Sequence, residues 1–207
     1  MRKRLTWLGR PRFLAAAITG SLAIFAGKTS LASDAGVVGV STLRAAGVNL
    51  DGSGVTVAQV EAQNGGSSPA FEVNSGAFGL TGGRITYFIG PPTTYVPQSS
   101  TAFPNSFGSE SGHADAIANL FYGPANGMST NVAHVDNYEA DYFVITIVPS
   151  LTAINDRIVN QSFTLSSVTN AQQTVYDSYY DNYAANYNTL FVSAAGDSGT
   201  VYSPSTS

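Results

Sequence analysis

Apolar positions along the chain gather into short β-rich runs separated by segments of helical period. Val55 to Val60 is apolar except at Thr56 and Gln59. It follows Asp51-Gly52-Ser53-Gly54 and ends at Glu61-Ala62. A run of this kind, bounded by turn residues, predicts a buried strand that delivers a carboxylate at its carboxyl end. Arg84–Ile89, Val132–Val135, Arg157–Phe163 and Thr189–Ala194 predict further strands. Ala114 to Tyr122, directly after Gly112-His113, is apolar on one side through Ala114, Ile117, Ala118 and Phe121. Ala171 to Tyr187 repeats Tyr176, Tyr179, Tyr183 and Tyr187 at spacings of three and four. Both segments predict helices laid on a sheet, and the tyrosine stripe is read as a packing face and not as a carbohydrate platform.

This alternation predicts an α/β fold of three layers, a mostly parallel twisted sheet with helices on both faces. Residues 63–83 and 91–111, rich in Gly, Ser, Pro and Thr, predict surface loops near a cleft. Residues 33–50 form a polar lead-in. Within it Val40–Ala46 is amphipathic, with Val40, Leu43 and Ala46 expected to face inward.

The start of the chain changes the charge picture. Arg2, Lys3, Arg4, Arg10 and Arg12 precede an apolar run from Phe13 to Ala26, and Ser30-Leu31-Ala32 supplies small residues for cleavage. Residues 1–32 therefore predict a secretory signal peptide and an exported product with no retained membrane anchor in this segment. The whole chain has nine basic and thirteen acidic residues, but only three basic residues follow Ala32, which leaves the mature part at −10. Such a surface repels phosphate backbones, so nucleic acid is not an expected partner. The absence of cysteine excludes disulfides and thiol catalysis. No cofactor is expected; structural calcium would suit an acidic exported chain, but no loop has a calcium-ligand pattern.

Ligands of open parallel sheets sit beyond the carboxyl ends of the strands. Glu61 ends the first predicted strand there, His113 opens a helix, Gln161-Ser162-Phe163-Thr164 ends a later strand, and Ala194-Ala195-Gly196-Asp197 ends the last. A carboxylate, an imidazole and a hydrogen-bonding group are the non-nucleophile parts of acyl-transfer catalysis. His134, inside a strand pattern with no carboxylate at metal-ligand spacing, is read as structural, and Asp115 as a partner of its helix dipole.

Four segments carry a family resemblance. Gly52 to Glu61 resembles the subtilase segment in which a glycine-flanked strand ends in the acidic triad member. His113-Ala114-Asp115-Ala116-Ile117-Ala118 looks like that family's histidine motif. Arg157 to Ser162 is similar to its substrate-backbone strand, and Leu190 to Asp197 resembles the strand leading to its oxyanion-hole residue. Acid before histidine is also the subtilisin chain order. The resemblance implies a subtilisin-like serine endopeptidase with Glu61 and His113 as acid and base, Asp197 at the oxyanion, and Ser162 and Thr164 contacting a peptide or protein substrate.

The sequence departs from the family at four points. Glu61 replaces the usual aspartate, Asp197 stands where the family has a neutral amide, the serine motif is absent, and no propeptide separates signal from domain. Residues 51–207 are accordingly expected to be an incomplete, by itself inactive, subtilase-like domain. The alternative is a secreted pseudo-peptidase or interaction domain on the same fold. Gly196-Asp197-Ser198-Gly199 matches the chymotrypsin-type nucleophile motif, but that fold is all-β. A sedolisin-like acid peptidase, which uses Glu and Asp four residues apart on one helix, would suit Asp197, yet five residues at 3.6 per turn place Glu110 and Asp115 about 140° apart.

Overall fold

The first strand begins where the backbone in front of it is tightly constrained. Gly52 has φ +83°, and a Cβ there would lie 2.9 Å from Val132 Cγ1 and 3.0 Å from Ser129 Cβ, so glycine alone fits this crossing. Asp51 Oδ1 accepts a hydrogen bond from Ser53 N at 2.9 Å and closes the turn. The structure, a computed structural model, describes residues 34–48, 50–63, 69–165 and 168–194. The expected signal segment 1–32 and Asp197 lie outside the described residues.

Two short helices, α1 (Asp34–Val37) and α2 (Val40–Ala45), precede β1 (Thr56–Glu61). There follow β2 (Ala70–Glu72), β3 (Ile85–Ile89), β4 (Gln98–Ser100), β5 (Ser109–Glu110) and α3 (Gly112–Phe121). Next come β6 (His134–Glu139) and α4 (Ala140–Tyr142), which continues as a π-helical turn over Phe143–Ile147. The described part ends with β7 (Ile158–Gln161), α5 (Asn170–Tyr187) and β8 (Leu190–Ser193).

Six strands form one sheet in the order β4-β3-β6-β1-β7-β8, parallel except for the β3/β4 pair. The chain is thus α/β with a mostly parallel sheet. It leaves β1 towards β3, returns to β6, and then crosses to β7 and β8 on the other side of β1. The winding reverses next to β1, which opens a crevice past its carboxyl end. There Glu61 stands opposite Glu139 of β6, and Val60 opposite Gln161 of β7.

Side chains alternate across this sheet, so β1 feeds two cores. Val57 packs with Ala114, Ala118 and Tyr122 of the α3 side. Ala58 and Val60 pack with Phe143, Ile147, Tyr180 and Tyr183 of the α4 and α5 side. Ala114 and Ala118 are fully buried, and their small size lets α3 lie close to the strands. The long helix α5 is stopped at both ends by local chemistry. Thr169 and Gln172 form a reciprocal capping box, and Asn188 closes the carboxyl end in the left-handed region at φ 52°.

Several expectations are corrected. The segment expected as an amphipathic stretch is helical, but α2 buries no residue: Leu43 is 47% exposed and Ala46 is exposed too. The expected loops contain the short strands β2, β4 and β5. The strand expected at 132–135 runs from His134 to Glu139, because its polar members are buried and hydrogen-bonded; Asn137 Oδ1, for example, accepts from Val73 N at 3.0 Å. On α5 the inward residues include Tyr180 and Tyr183, while Tyr179 is 37% exposed. The inward stripe is 176-180-183-187, which keeps to about 60° of the helix circumference, whereas 176-179-183-187 spreads over about 80°.

Candidate functional site

Glu61 and Gln59 sit two residues apart on β1, so both side chains face α3. On the helix side, Ser111 is the N-cap and its Oγ accepts from Ala114 N at 3.3 Å, which fixes the first turn of α3 and the position of His113 within it. The two elements bring Glu61 Oε2 to 2.8 Å from His113 Nδ1. Glu61 is 1% exposed, whereas the imidazole is 49% exposed. The pair therefore has a buried acid and a ring that reaches solvent at the carboxyl end of the sheet.

While Glu61 is ionised its carboxylate only accepts hydrogen bonds; His113 Nδ1 is then the donor, and in the neutral ring the Nε2 lone pair points away from Glu61. Among the described residues no hydrogen-bond partner meets Nε2. Burial pushes the Glu61 pKa up from the usual carboxylate range; hydrogen bonds from Gln59 and His113, and the attraction of the His113 charge, act against that rise. Chemically, this is an imidazole held by its Nδ1 side and free to take a proton on the other.

Neighbouring carboxylates have other tasks. Glu139, opposite Glu61, caps α4: Oε1 accepts from Asp141 N at 3.1 Å, and Oε2 from Tyr142 N and Thr93 Oγ1, each at 2.9 Å. Asp115, in the first turn of α3, accepts from Asn74 N at 2.8 Å through Oδ1, while Asn74 Nδ2 donates to Glu110 Oε2 at 3.3 Å. Glu110 lies on β5 and not on the helix, so the helical-wheel separation expected for Glu110 and Asp115 does not apply; Asn74 bridges the two. Burial, then the nearby Glu110, raise the pKa of Asp115 against the pull of the Asn74 N–H.

The expected substrate residues are placed apart. Ser162 Oγ accepts from Asn160 Nδ2 at 2.9 Å and lines a hollow of about 300 Å³ with Ile117, Leu120, Phe121 and Val192. Thr164 is exposed and lines a different hollow of about 290 Å³, with Ala62, Gln63, Asp141 and Phe163. The structure thus sets Ser162 on the α3 side and Thr164 beside α4.

His134, expected to be structural, has a carboxylate neighbour: Nε2 lies 3.1 Å from Asp136 Oδ1 and 2.9 Å from Thr86 Oγ1. Nearby, Asp156 is 2% exposed and lies against Asp136. Burial and the adjacent Asp136 push its pKa up to about 8. Among the described residues no group of three or more His, Asp or Glu is arranged to hold a metal ion, and no helix is long and apolar enough to cross a membrane.

Two residues of the site escaped the sequence reading. Gln59 is fully buried, and its Nε2 donates to Glu61 Oε1 at 2.7 Å and to Ala114 O at 2.9 Å. Tyr122, 1% exposed, donates from its hydroxyl to Gln59 Oε1. The available signal was a glutamine at the centre of an apolar strand, where a polar group is costly unless every atom is partnered. Compared with protein-family models and with curated proteins, the chain matches none.

Proposed function

We propose that this chain carries the acid–base pair of a secreted subtilisin-like serine endopeptidase on a subtilisin-like three-layer fold. The single observation that supports this reading is the 2.8 Å contact between the buried Glu61 and the half-exposed His113 at the strand-end crevice. Chain order, the resemblance of the flanking motifs and the parallel sheet agree with it.

In this reading a serine hydroxyl passes its proton to His113 Nε2 as its Oγ attacks the peptide carbonyl, and the imidazolium is held by Glu61 through Nδ1–H. The same Nε2 then returns the proton to the leaving amine. Ser162 and Thr164 would align the substrate backbone from their separate hollows, and Asp197 would stand next to the developing oxyanion. The reading requires a nucleophilic serine; residues 1–207 contain no Gly-Thr-Ser motif, and none of their serines is assigned that role. Export by removal of residues 1–32 belongs to the same reading. It is tested by amino-terminal sequencing of the exported protein, with a start at Ser33 expected and a start before residue 20 contradictory.

The activity is tested on the complete gene product with a mixture of fluorogenic peptides. Hydrolysis that falls by about 10²–10⁴-fold in His113→Ala supports the assignment. A folded, fully sequenced product without a serine motif and without hydrolysis overturns it in favour of an interaction domain on the same fold.

A further inference from the structure

Gln59 occupies the centre of β1, a strand buried from Val57 to Glu61, where Val57, Ala58 and Val60 surround it in sequence. A glutamine there must partner all of its polar atoms or lower stability. It does partner them. Both amide hydrogens are used, one on Glu61 Oε1 and one on Ala114 O, and the amide oxygen accepts from Tyr122.

The orientation of that amide is fixed by its surroundings. Turned over, Gln59 Oε1 would face a carboxylate oxygen and a backbone carbonyl, two acceptors, with no hydrogen between them. Tyr122 holds the other end, in the core beside Ala118. One amide thus ties the strand that carries the acid to the helix turn that carries the base, since Ala114 directly follows His113.

We propose that Gln59, pinned by Tyr122, is a positioning residue for the Glu61–His113 pair: it occupies Glu61 Oε1 as a donor and so leaves Oε2 as the acceptor that keeps the proton on His113 Nδ1 and the Nε2 lone pair free. This role rests on the reading of that pair as a catalytic dyad. The physical reason is a competition. Burial favours a protonated Glu61. A protonated Glu61 would donate from Oε2 to Nδ1, and the ring would then carry its own proton on Nε2, where it accepts nothing. The Gln59 donor favours the ionised carboxylate and therefore the useful ring form. The titratable groups facing Glu61 are His113 and, across the amide, Tyr122.

The test is nitrogen NMR of the full chain labelled with ¹⁵N-histidine, at a pH where the ring is neutral. The chain has two histidines, so a His134→Gln companion assigns the signals. Wild type is expected to show His113 protonated on Nδ1. Gln59→Met keeps the side-chain length and removes the donor, and the ratio of the two ring forms should move towards Nε2–H by about 10- to 100-fold. Tyr122→Phe leaves the amide in place but unpinned, and should move the ratio in the same direction by roughly 3- to 10-fold. A purely structural Gln59 would lower the melting temperature and leave the ring form unchanged, and that result in folded Gln59→Met overturns the proposal. Should Gln59→Met not fold, Tyr122→Phe decides: an unchanged ratio overturns the proposal and a shifted one supports it. A wild-type ring protonated on Nε2 would instead overturn the dyad itself, so the two failures are distinguishable.

Discussion

Glu72 is a buried carboxyl whose charge the fold does little to accommodate, and replacing it by glutamine should change how stability depends on pH. Its side chain is fully buried on β2; Oε1 accepts from Asn105 Nδ2 at 2.7 Å and Oε2 has no partner among the described residues. The backbone at Gly108 presses against it, since a Cβ there would lie 2.0 Å from Oε1. Burial pushes its pKa from the ordinary 4.5 up to about 7, against the pull of the Asn105 hydrogen bond. Between these values the folded chain keeps a proton that the unfolded chain has released. The resulting stability is fully present below pH 4.5 and is lost as pH rises through about 7. The shift corresponds to about 3 kcal/mol, and relaxation around the new charge should reduce the observable share to ~1–3 kcal/mol. Glu72→Gln removes this titration. Urea unfolding of wild type and variant at pH of about 4, 6 and 8 should give nearly equal stabilities at the acid end and a more stable variant at the alkaline end, by roughly 1–3 kcal/mol. Equal pH slopes for the two proteins would refute the reasoning.

Asp156→Asn should act in the same sense. The folded-state pKa near 8 means that stability present below 3.8 is lost as pH rises towards 8, so the amide should raise Tm at about pH 8 by roughly 2–8 °C and leave Tm at about pH 4 nearly unchanged in calorimetry. Tyr183→Phe removes the hydroxyl that donates to Thr152 O at 2.8 Å and should cost ~1 kcal/mol in chemical unfolding; a change below a few tenths would mean that this bond contributes no net stability. In the complete gene product Asp197→Asn should raise peptide turnover near pH 7, because an amide donates to an oxyanion while an ionised carboxylate repels it; a pH–rate profile with no gain there would remove Asp197 from the oxyanion.

The sheet was legible because its central strand is marked by Val57 and Val60 between glycines and an acid, and because α3 and α5 keep a helical apolar period. Less legible was everything that depends on buried polar atoms. Asp136, Asn137 and Glu139 interrupt the apolar pattern of β6, although each is buried in the folded chain, so the pattern alone predicts too short a strand. The same blindness hid Glu72 and Gln59, whose polar atoms meet Asn105, Tyr122 and Ala114 only once distant segments have packed. Glu61 and His113 stand out in the sequence only through motif context. Their 52-residue separation means that tertiary structure alone supplies the contact. The short strands β2, β4 and β5 lie in segments whose composition carries turn signals and no period, so sequence pattern had nothing to report there.

The central claim is that Glu61 and His113 activate a serine, and a fluorophosphonate probe tests it without any knowledge of the substrate, because labelling requires only an activated hydroxyl. Applied to the complete gene product, the probe should mark one serine, located by peptide mass mapping, at a rate that falls by about 10²–10⁴-fold in His113→Ala and also falls in Glu61→Ala. No labelling of the folded wild-type protein, or labelling that is indifferent to His113→Ala, would contradict the account.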